Sequence, residues 1–504
     1  MVSFNQIQPN WKLPGTSIEV DPSQAGTATS VKYGLITGYK RSVGTAPAGQ
    51  LVAVGTQVDA DRLFGAGSQL ARMFARWFQI NKSTPLFALP IAEPSSGTAA
   101  TGTIVVAAAA TAAGTLALYI AGQKVSIAIG ASDATTAIAT RINAAINAAT
   151  DLPVTSSVAS STVTVTAKWK GIDGNDIRLE DSYLGAYGGE VLPTGLSLTY
   201  PAGNVLSGGS GVPDWASPIT AIGDDPFYYI AMPFSDSGSF TAFDTEFGFS
   251  DSGRWGWLRQ SYGQVFSATR DTYSNLMTWG PTNNSAVIHA LGIEMTSPTP
   301  VWEWTAAFSA QAARALSIDP ARPLQTLTLD GCLPAPKGSR FSKTQLNALA
   351  TVGIAIQGTD IYGPSGGTPI ILREQSTYQK NSYGIADNAY EVGTTLATLA
   401  EVFTRLRQSI SNKYPRHKLA NDGTRFGPGQ AIVTPNIARA ELVAEYGAME
   451  YDGLVENVDA FKGALIVARS ATEPNTLECL YPPDLINQLR RFNVRAQFRL
   501  QFAS

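Results

Sequence analysis

The chain has little charge for its length and almost no cysteine or histidine. Asp, Glu, Lys and Arg make up only 15% of its 504 residues, and there are two cysteines and two histidines. Cys332 and Cys479 lie far apart and match no metal-ligand spacing, so the sequence predicts neither a zinc site nor a disulfide framework. Such low charge is unusual for a freely soluble enzyme and indicates that much of the surface contacts other protein.

Other absences narrow the function classes further. With 36 basic and 39 acidic residues there is no net positive field, so nucleic-acid binding is not expected. No phosphate-binding GxxxxGK[ST], HExxH or DxDxDG motif occurs, so we predict no cofactor and no metal. The opening MVSFNQIQPNWKLPG lacks the basic start and apolar run of a secretion signal. Residues 104–121 are apolar but rich in Ala and interrupted by Thr and Gly, so we expect no membrane span.

What is present is a mixed pattern of helices and strands that predicts an α/β and α+β multidomain chain. Helical spacing is clearest in residues 68–80, 133–149, 301–318 and 390–411, and short apolar strands lie between them. A β-rich stretch that interrupts the first α/β unit predicts an inserted domain. The predicted divisions are an N-terminal arm (1–27), a core α/β domain (28–96 and 206–390), the inserted β-rich domain (97–205), a C-terminal α+β domain (391–487) and a C-terminal strand arm (488–504).

Both ends of the chain carry a candidate strand. Near the start, Thr16, Ile18 and Val20 belong to a short extended stretch among prolines and glycines, which suits an arm. At the other end a strict alternation predicts a strand over residues 493–502, because alternate side chains of a strand share one face. Its apolar face consists of Val494, Ala496, Phe498, Leu500 and Phe502. A strand this regular needs a sheet to join.

One catalytic alternative is a serine hydrolase. Residues 363–367 read GPSGG, and Ser365 with Asp387 and His417 would complete a hydrolase triad in the usual chain order. That motif needs a strand before and a helix after the serine, whereas here a second strand pattern, TPIILRE, follows. We therefore interpret the segment as a Gly-rich hairpin loop, His289 as a hydrogen-bonded core histidine and His417 as a surface residue, and we predict that the protein is not an enzyme.

A single notable positive patch follows the long helix near residue 400. It consists of Arg405, Arg407, Lys413, Arg416 and Lys418, with His417 beside them. The simplest interpretation is that these cations balance the dipole at the helix C-terminus. The alternative is that the patch faces a partner.

Several strings, in order along the chain, resemble the tail sheath proteins of contractile-tailed phages of the Mu-like group. They are NWKLPGTSIEVDPSQAG at the start, LFGAGSQLARMF at 63–74, GIDGNDI at 171–177, REQSTYQKNSYGIADNAYEVGTTLATL at 373–399 and KYPRHKLANDGTRFGPGQAIVTP at 413–435. The resemblance spans nearly the whole chain, although no string is a catalytic fingerprint.

The resemblance implies a sheath core whose middle α/β domain is sometimes described as subtilisin-like, a peripheral insertion and terminal arms that add strands to sheets of neighbouring subunits. The implied function is a virion structural subunit, assembled in the host cytoplasm around an inner tube, which contracts to deliver the genome. Implied partners are other copies of the chain, the inner tube protein, and baseplate and terminator proteins. If the positive patch faces a partner, we expect it to lie against an acidic inner tube and to help hold the extended state. The sheath of a phage-like bacteriocin or secretion apparatus is the main alternative, and a surface adhesin a remote one.

Overall fold

The computed structural model describes residues 31–359 and 367–500. Its first part begins a central sheet and adds two helices. The elements are β1 (Tyr33–Tyr39), β2 (Val52–Ala53), α1 (Gln57–Phe64), α2 (Gln69–Ile80) and β3 (Leu86–Ile91). The helix predicted over 68–80 is confirmed. The Ser68 hydroxyl accepts a hydrogen bond from the backbone N–H of Ala71 and so caps α2, and the predicted apolar face, which includes Met73 and Trp77, is buried.

The next part is the β-rich insertion. Its elements are β4 (Thr101–Ala108), β5 (Gly114–Ile120), β6 (Gln123–Ile129), α3 (Thr135–Ala148), β7 (Val154–Ala159), β8 (Thr162–Ala167), β9 (Leu179–Asp181) and β10 (Ser197–Thr199). They form sheets in the orders β10-β4-β8-β7 and β6-β5-β9. The apolar stretch 104–121 supplies parts of β4 and β5, and no helix in the described ranges is long and apolar enough to cross a membrane.

The central sheet resumes after the insertion. The elements are β11 (Phe227–Ala231), α4 (Ser237–Phe247), β12 (Gln264–Asp271), α5 (Tyr273–Trp279), β13 (Ile288–Glu294), α6 (Val301–Leu316), α7 (Lys343–Thr351), β14 (Ile356–Gly358) and β15 (Ile370–Arg373). The strand order is β13-β12-β11-β1-β3-β2, and only β2 runs antiparallel. Because β1 lies between β3 and β11, the two halves of the sequence complete one sheet around the insertion.

The insertion is docked on this core and shares its interior. Trp169 of the insertion packs edge-on against Trp302 of α6, with ring centroids 5.3 Å apart. The Asp176 carboxylate accepts a 2.5 Å hydrogen bond from the backbone N–H of Val301 and pairs with Arg270 of β12 at 2.9 Å. Helix α6 begins after Pro300, which offers no side-chain cap. A carboxylate from the insertion therefore supplies the missing cap and favours one orientation of the two domains.

The C-terminal part forms a smaller α+β domain with its own apolar cluster around Leu442, Tyr446 and Phe461. Its elements are α8 (Gly393–Lys413), β16 (Lys418–Leu419), β17 (Ile432–Val433), α9 (Pro435–Tyr451), α10 (Val458–Ala464), β18 (Ile466–Arg469) and β19 (Leu477–Leu480). Pro435 occupies the first turn of α9, as predicted, because proline needs no hydrogen-bond acceptor there. The chain is thus a multidomain mixed α/β protein, as the sequence predicted.

Candidate assembly surfaces

The proposed triad residues lie apart. Ser365 falls outside the described residues, but its flanks β14 and β15 pair antiparallel, which is a hairpin and not the strand-to-helix turn of a nucleophile elbow. Asp387 accepts a 2.7 Å hydrogen bond from the Tyr378 hydroxyl, which lowers the pKa of its carboxyl. His417 is exposed and lies edge-on against Tyr414. No hydrogen bond joins Asp387 to His417 in the parts of the chain described.

His289 is the buried histidine that the sequence predicted. It is fully buried on β13, and its Nε2 lies 2.8 Å from the side-chain oxygen of Gln264 on β12. Burial lowers the pKa of the imidazole to about 4, so the ring is neutral at physiological pH. In the described ranges no cluster of three or more His, Cys, Asp or Glu side chains could hold a metal ion.

The C-terminal segment is exposed along its whole described length. Residues 491–500 form no strand, and all of them are exposed. The predicted apolar face projects into solvent, with Val494 at 73%, Phe498 at 86% and Leu500 at 97% exposure. Phe502 and the N-terminal Thr16, Ile18 and Val20 lie outside the described residues. A row of exposed apolar side chains on an unpaired segment is typical of a surface that contacts other protein.

Residues 488–490, which lie directly before this segment, are bound to the body of the protein, and we call them the strap. Arg490 forms a bidentate pair with Glu374, whose side chain is only 1% exposed. The side chain of Gln488 donates to the backbone oxygen of Ala321 at 2.8 Å, and Gln325 donates to the backbone oxygen of Leu489 at 3.4 Å. These contacts join the first residues of the C-terminal arm to the rest of the protein, and the exposed segment begins directly after them.

The hairpin β18–β19 is a sheet with room for more strands. Its two strands pair antiparallel over Ile466–Arg469 and Leu477–Leu480, and no other described strand joins them. One face packs toward the C-terminal cluster through Val467, whereas Ile466 and Leu480 are 58% and 59% exposed. Each outer edge therefore carries backbone N–H and C=O groups that another strand can satisfy.

The positive patch is partly neutralised by acidic side chains of its own domain. Arg405 pairs with Asp452 at 2.6 Å and with Glu401 at 3.3 Å. Lys413 pairs with Glu441 at 2.7 Å, and this hydrogen bond raises the pKa of the lysine. Arg407 and Lys418 donate to the backbone oxygen of Gln260 and the side-chain oxygen of Gln430, and Arg416 is exposed. The patch has less free charge than the sequence indicated.

Sequence reasoning missed the strap and the hairpin. The apolar pattern of β18 and β19 spans only four residues each, too short to distinguish a strand from a loop. Glu374 and Arg490 are 116 residues apart, and nothing local links them. The signal that was available is the position of Glu374 directly after the apolar strand β15, since a carboxylate at the end of a buried strand requires a partner.

Comparison with known proteins identifies matches along most of the chain. Three family models match: the phage tail sheath protein beta-sandwich domain at residues 95–210, the phage tail sheath protein central domain at 208–362 and the phage tail sheath C-terminal domain at 386–499. The Mu-like prophage FluMu tail sheath protein of Haemophilus influenzae is 36% identical over 501 residues, covering 99% of this chain and 100% of that protein.

Solved structures with similar chains include two sheath tail proteins. The protein from Desulfitobacterium hafniense is 12% identical, with a TM-score of 0.49 over 96% of this chain and 100% of that one. The protein from Listeria innocua is 10% identical, with a TM-score of 0.47 over 92% of this chain and 93% of that one.

Proposed function

Because the chain belongs to the phage tail sheath protein family, in its Mu-like group, we propose that its copies assemble around an inner tail tube as an extended, metastable array. Family membership makes it a structural component of the virion. The array contracts when the baseplate releases it and drives the tube through the host envelope for genome delivery. Free energy for contraction comes from new contacts between subunits in the contracted state.

Strand exchange at the C-terminus holds the array together. The observation that carries this proposal is the exposed apolar alternation of Val494, Ala496, Phe498 and Leu500 in a chain that also has a two-stranded hairpin with open edges. In a neighbouring copy, β18–β19 accepts this segment as a further strand, which satisfies backbone groups on both sides. The alternate apolar side chains then cover the exposed side of the hairpin, including Ile466 and Leu480.

The strap limits where the neighbour can lie. Residues 491–493 separate Arg490 from Val494, the first apolar residue of the donated strand, and the four extended steps between them span at most about 14 Å. The accepting hairpin must therefore start close to the junction between the donor's core and its C-terminal domain. During contraction the arm keeps neighbours joined while the globular bodies move. The N-terminal arm, through Thr16, Ile18 and Val20, adds a second such link.

Deletion of residues 491–504 tests the arm. We expect the truncated subunit to fold with an unchanged unfolding temperature, because residues 491–500 are fully exposed, and to form no ordered tubes in electron micrographs. Two matched double variants distinguish the two faces of the proposed strand. Val494→Asn with Phe498→Asn alters the apolar face, and Arg495→Gln with Arg499→Gln alters the opposite face. Only the first pair should abolish tubes. Intact contractile tubes from the truncated protein would contradict strand exchange.

The remaining partners follow from the proposed role. They are the inner tube protein along the lumen of the array and the baseplate and tail terminator proteins at its ends. Assembly takes place in the host cytoplasm before the virion is released.

A further inference from the structure

A loop at one edge of the central sheet presents a large apolar surface that the fold does not use. Trp257 is 69% exposed and Leu258 is 61% exposed, next to each other in the loop between α4 and β12. A single exposed apolar residue is ordinary, but an adjacent tryptophan and leucine at the tip of an ordered loop indicate a binding surface. We call Trp257, Leu258 and the neighbouring Asp251 the knob.

The knob is held by a buried arginine beneath it. The Arg254 side chain is fully buried and donates to the backbone oxygens of Tyr262 at 2.9 Å and Gly223 at 2.6 Å, and to that of Asp225. One planar guanidinium group thus ties the loop to the strand ends beside it. The exposed side chains are thus carried on a rigid base.

Further contacts fix the tip. Arg259 pairs with Asp224 at 2.7 Å and with Glu246 at 2.8 Å. At Gly256 an added Cβ would lie 2.1 Å from the backbone oxygen of Ser250, so the close turn there requires glycine. The indole N–H of Trp257 donates to Asp251 at 3.0 Å. A preorganised tryptophan whose polar atom is already satisfied offers a partner an apolar face at little entropic cost.

A groove of about 580 Å³ lies at the opposite edge of the same sheet, between the core and the insertion. Val43, which is 65% exposed, stands at its rim, and the half-buried Ala66 and Ala149 add apolar surface beside it. Arg41 and Lys168 also line it and donate to the backbone oxygens of Ala66 and Thr150, and one carboxylate, that of Asp61, lies in the same lining. Burial lowers the pKa of Lys168 to about 8, so its charge is poorly solvated.

The two surfaces match in chemistry and are placed head to tail. The knob combines apolar bulk with the Asp251 carboxylate, and the groove combines the exposed Val43 with three cations, Arg41, Arg62 and Lys168, against the single carboxylate of Asp61. The knob precedes β12, whereas Arg41 and Val43 follow β1, which runs parallel to β11 and β12. The seven residues of β1 separate these edges by about 23 Å. Complementary patches at opposite ends of one molecule generate an open polymer and not a closed dimer.

We propose that the knob of one copy inserts into the groove of the next copy, as a second subunit contact independent of the arms. The inference rests on the proposed self-assembly. The occupant of the groove is another copy of this chain. Trp257 and Leu258 pack on Val43 and the alanines beside it, and Asp251 lies beside Arg41 and Lys168.

Cysteine crosslinking tests the contact directly in assembled full-length protein. The background is Cys479→Ser, which removes the exposed native thiol while Cys332 is buried. Combining Leu258→Cys with Val43→Cys should give, on oxidation, a ladder of covalent multimers in a non-reducing gel. Each single variant should remain monomeric. Tubes from the double variant without a ladder would overturn the proposal.

Tube assembly provides the second measurement. Trp257→Ala should raise the critical concentration for assembly about 30-fold, which corresponds to ~2 kcal/mol for a buried aromatic anchor. Tyr187→Ala, at a fully exposed aromatic residue of the insertion, is the control and should change nothing. An unchanged critical concentration for Trp257→Ala contradicts the knob and leaves the sheath function standing. Failure of the unaltered protein to form tubes refutes the sheath function and the knob with it.

Discussion

The pair between Glu374 and Arg490 determines where the C-terminal arm leaves the body of the protein. Arg490→Met keeps most of the side-chain length and removes both hydrogen bonds to a carboxylate that is 1% exposed. Hydrogen bonds to charged groups contribute ~1.5–3 kcal/mol. The ratio of subunits in which the start of the arm is released to subunits in which it is docked should therefore rise ~10- to 150-fold.

A nitroxide at position 492 reports this release. Phe492 is 82% exposed, so Phe492→Cys in the Cys479→Ser background accepts the label without disturbing the fold. Arg490→Met should increase the mobile fraction in the electron paramagnetic resonance spectrum of unassembled subunits. Arg491→Met, at the exposed neighbouring cation, should not. If the spectrum of Arg490→Met is unchanged while the unfolding temperature falls, the pair stabilises the core and does not hold the arm.

A double substitution separates the two effects. Removing one partner leaves a buried charge unpaired, whereas removing both leaves neither. Glu374→Met together with Arg490→Met should therefore unfold at a higher temperature than Arg490→Met alone. The arm should stay mobile in the double variant, because its anchor is still absent. Recovery of the immobile spectrum would show that other contacts position the arm.

Two further predictions concern acid stability and the inner tube. Burial holds the pKa of His289 at about 4, below the 6.5 of an exposed imidazole. Below pH ~6.5 the unfolded chain therefore binds a proton at His289 that the native state does not bind. The contribution of this residue to stability is full above pH ~6.5 and falls by about 3 kcal/mol toward pH 4. Urea unfolding of unassembled subunits at pH 7 and 4.5 should show a smaller acid loss in His289→Gln, and equal losses would refute this. For the basic patch, we propose that its exposed end faces the inner tube. Arg416→Glu with Lys418→Glu should then reduce co-sedimentation with tubes more than Arg314→Glu, a control at an exposed cation elsewhere. An equal reduction in both variants would count against this placement.

Regular elements of the core were predictable because their burial pattern is local. Helix α2 places Leu70, Met73 and Trp77 on one face, and a window of about twelve residues is enough to detect that period. The strand β13 around His289 was recognised for the same reason. Contacts between segments distant in sequence were not predictable, as with Asp176 capping α6 from 125 residues away.

The apolar alternation near the C-terminus shows a different limit of prediction from sequence. Residues 494–500 have the sequence of a strand, yet in a single chain they pair with nothing and form none. Strand propensity expresses how well side chains fit a sheet that is already there, and the sheet proposed for this segment belongs to another copy. The alternating pattern therefore indicates an interaction with another copy, and the structure of a single chain does not contain that interaction.

The entry and exit of the insertion run side by side. Thr98 pairs with Ser210 and Thr101 with Ser207 in antiparallel bridges, so the chain leaves and re-enters the core at neighbouring points. The insertion, which is more than one hundred residues long, therefore holds its own two ends together. The core does not bear the entropy cost of joining those ends. The insertion can vary in length and surface while the central sheet closes in the same way. A position of this kind suits a graft: a foreign domain with adjacent termini could replace the insertion, provided that it also caps α6 as Asp176 does.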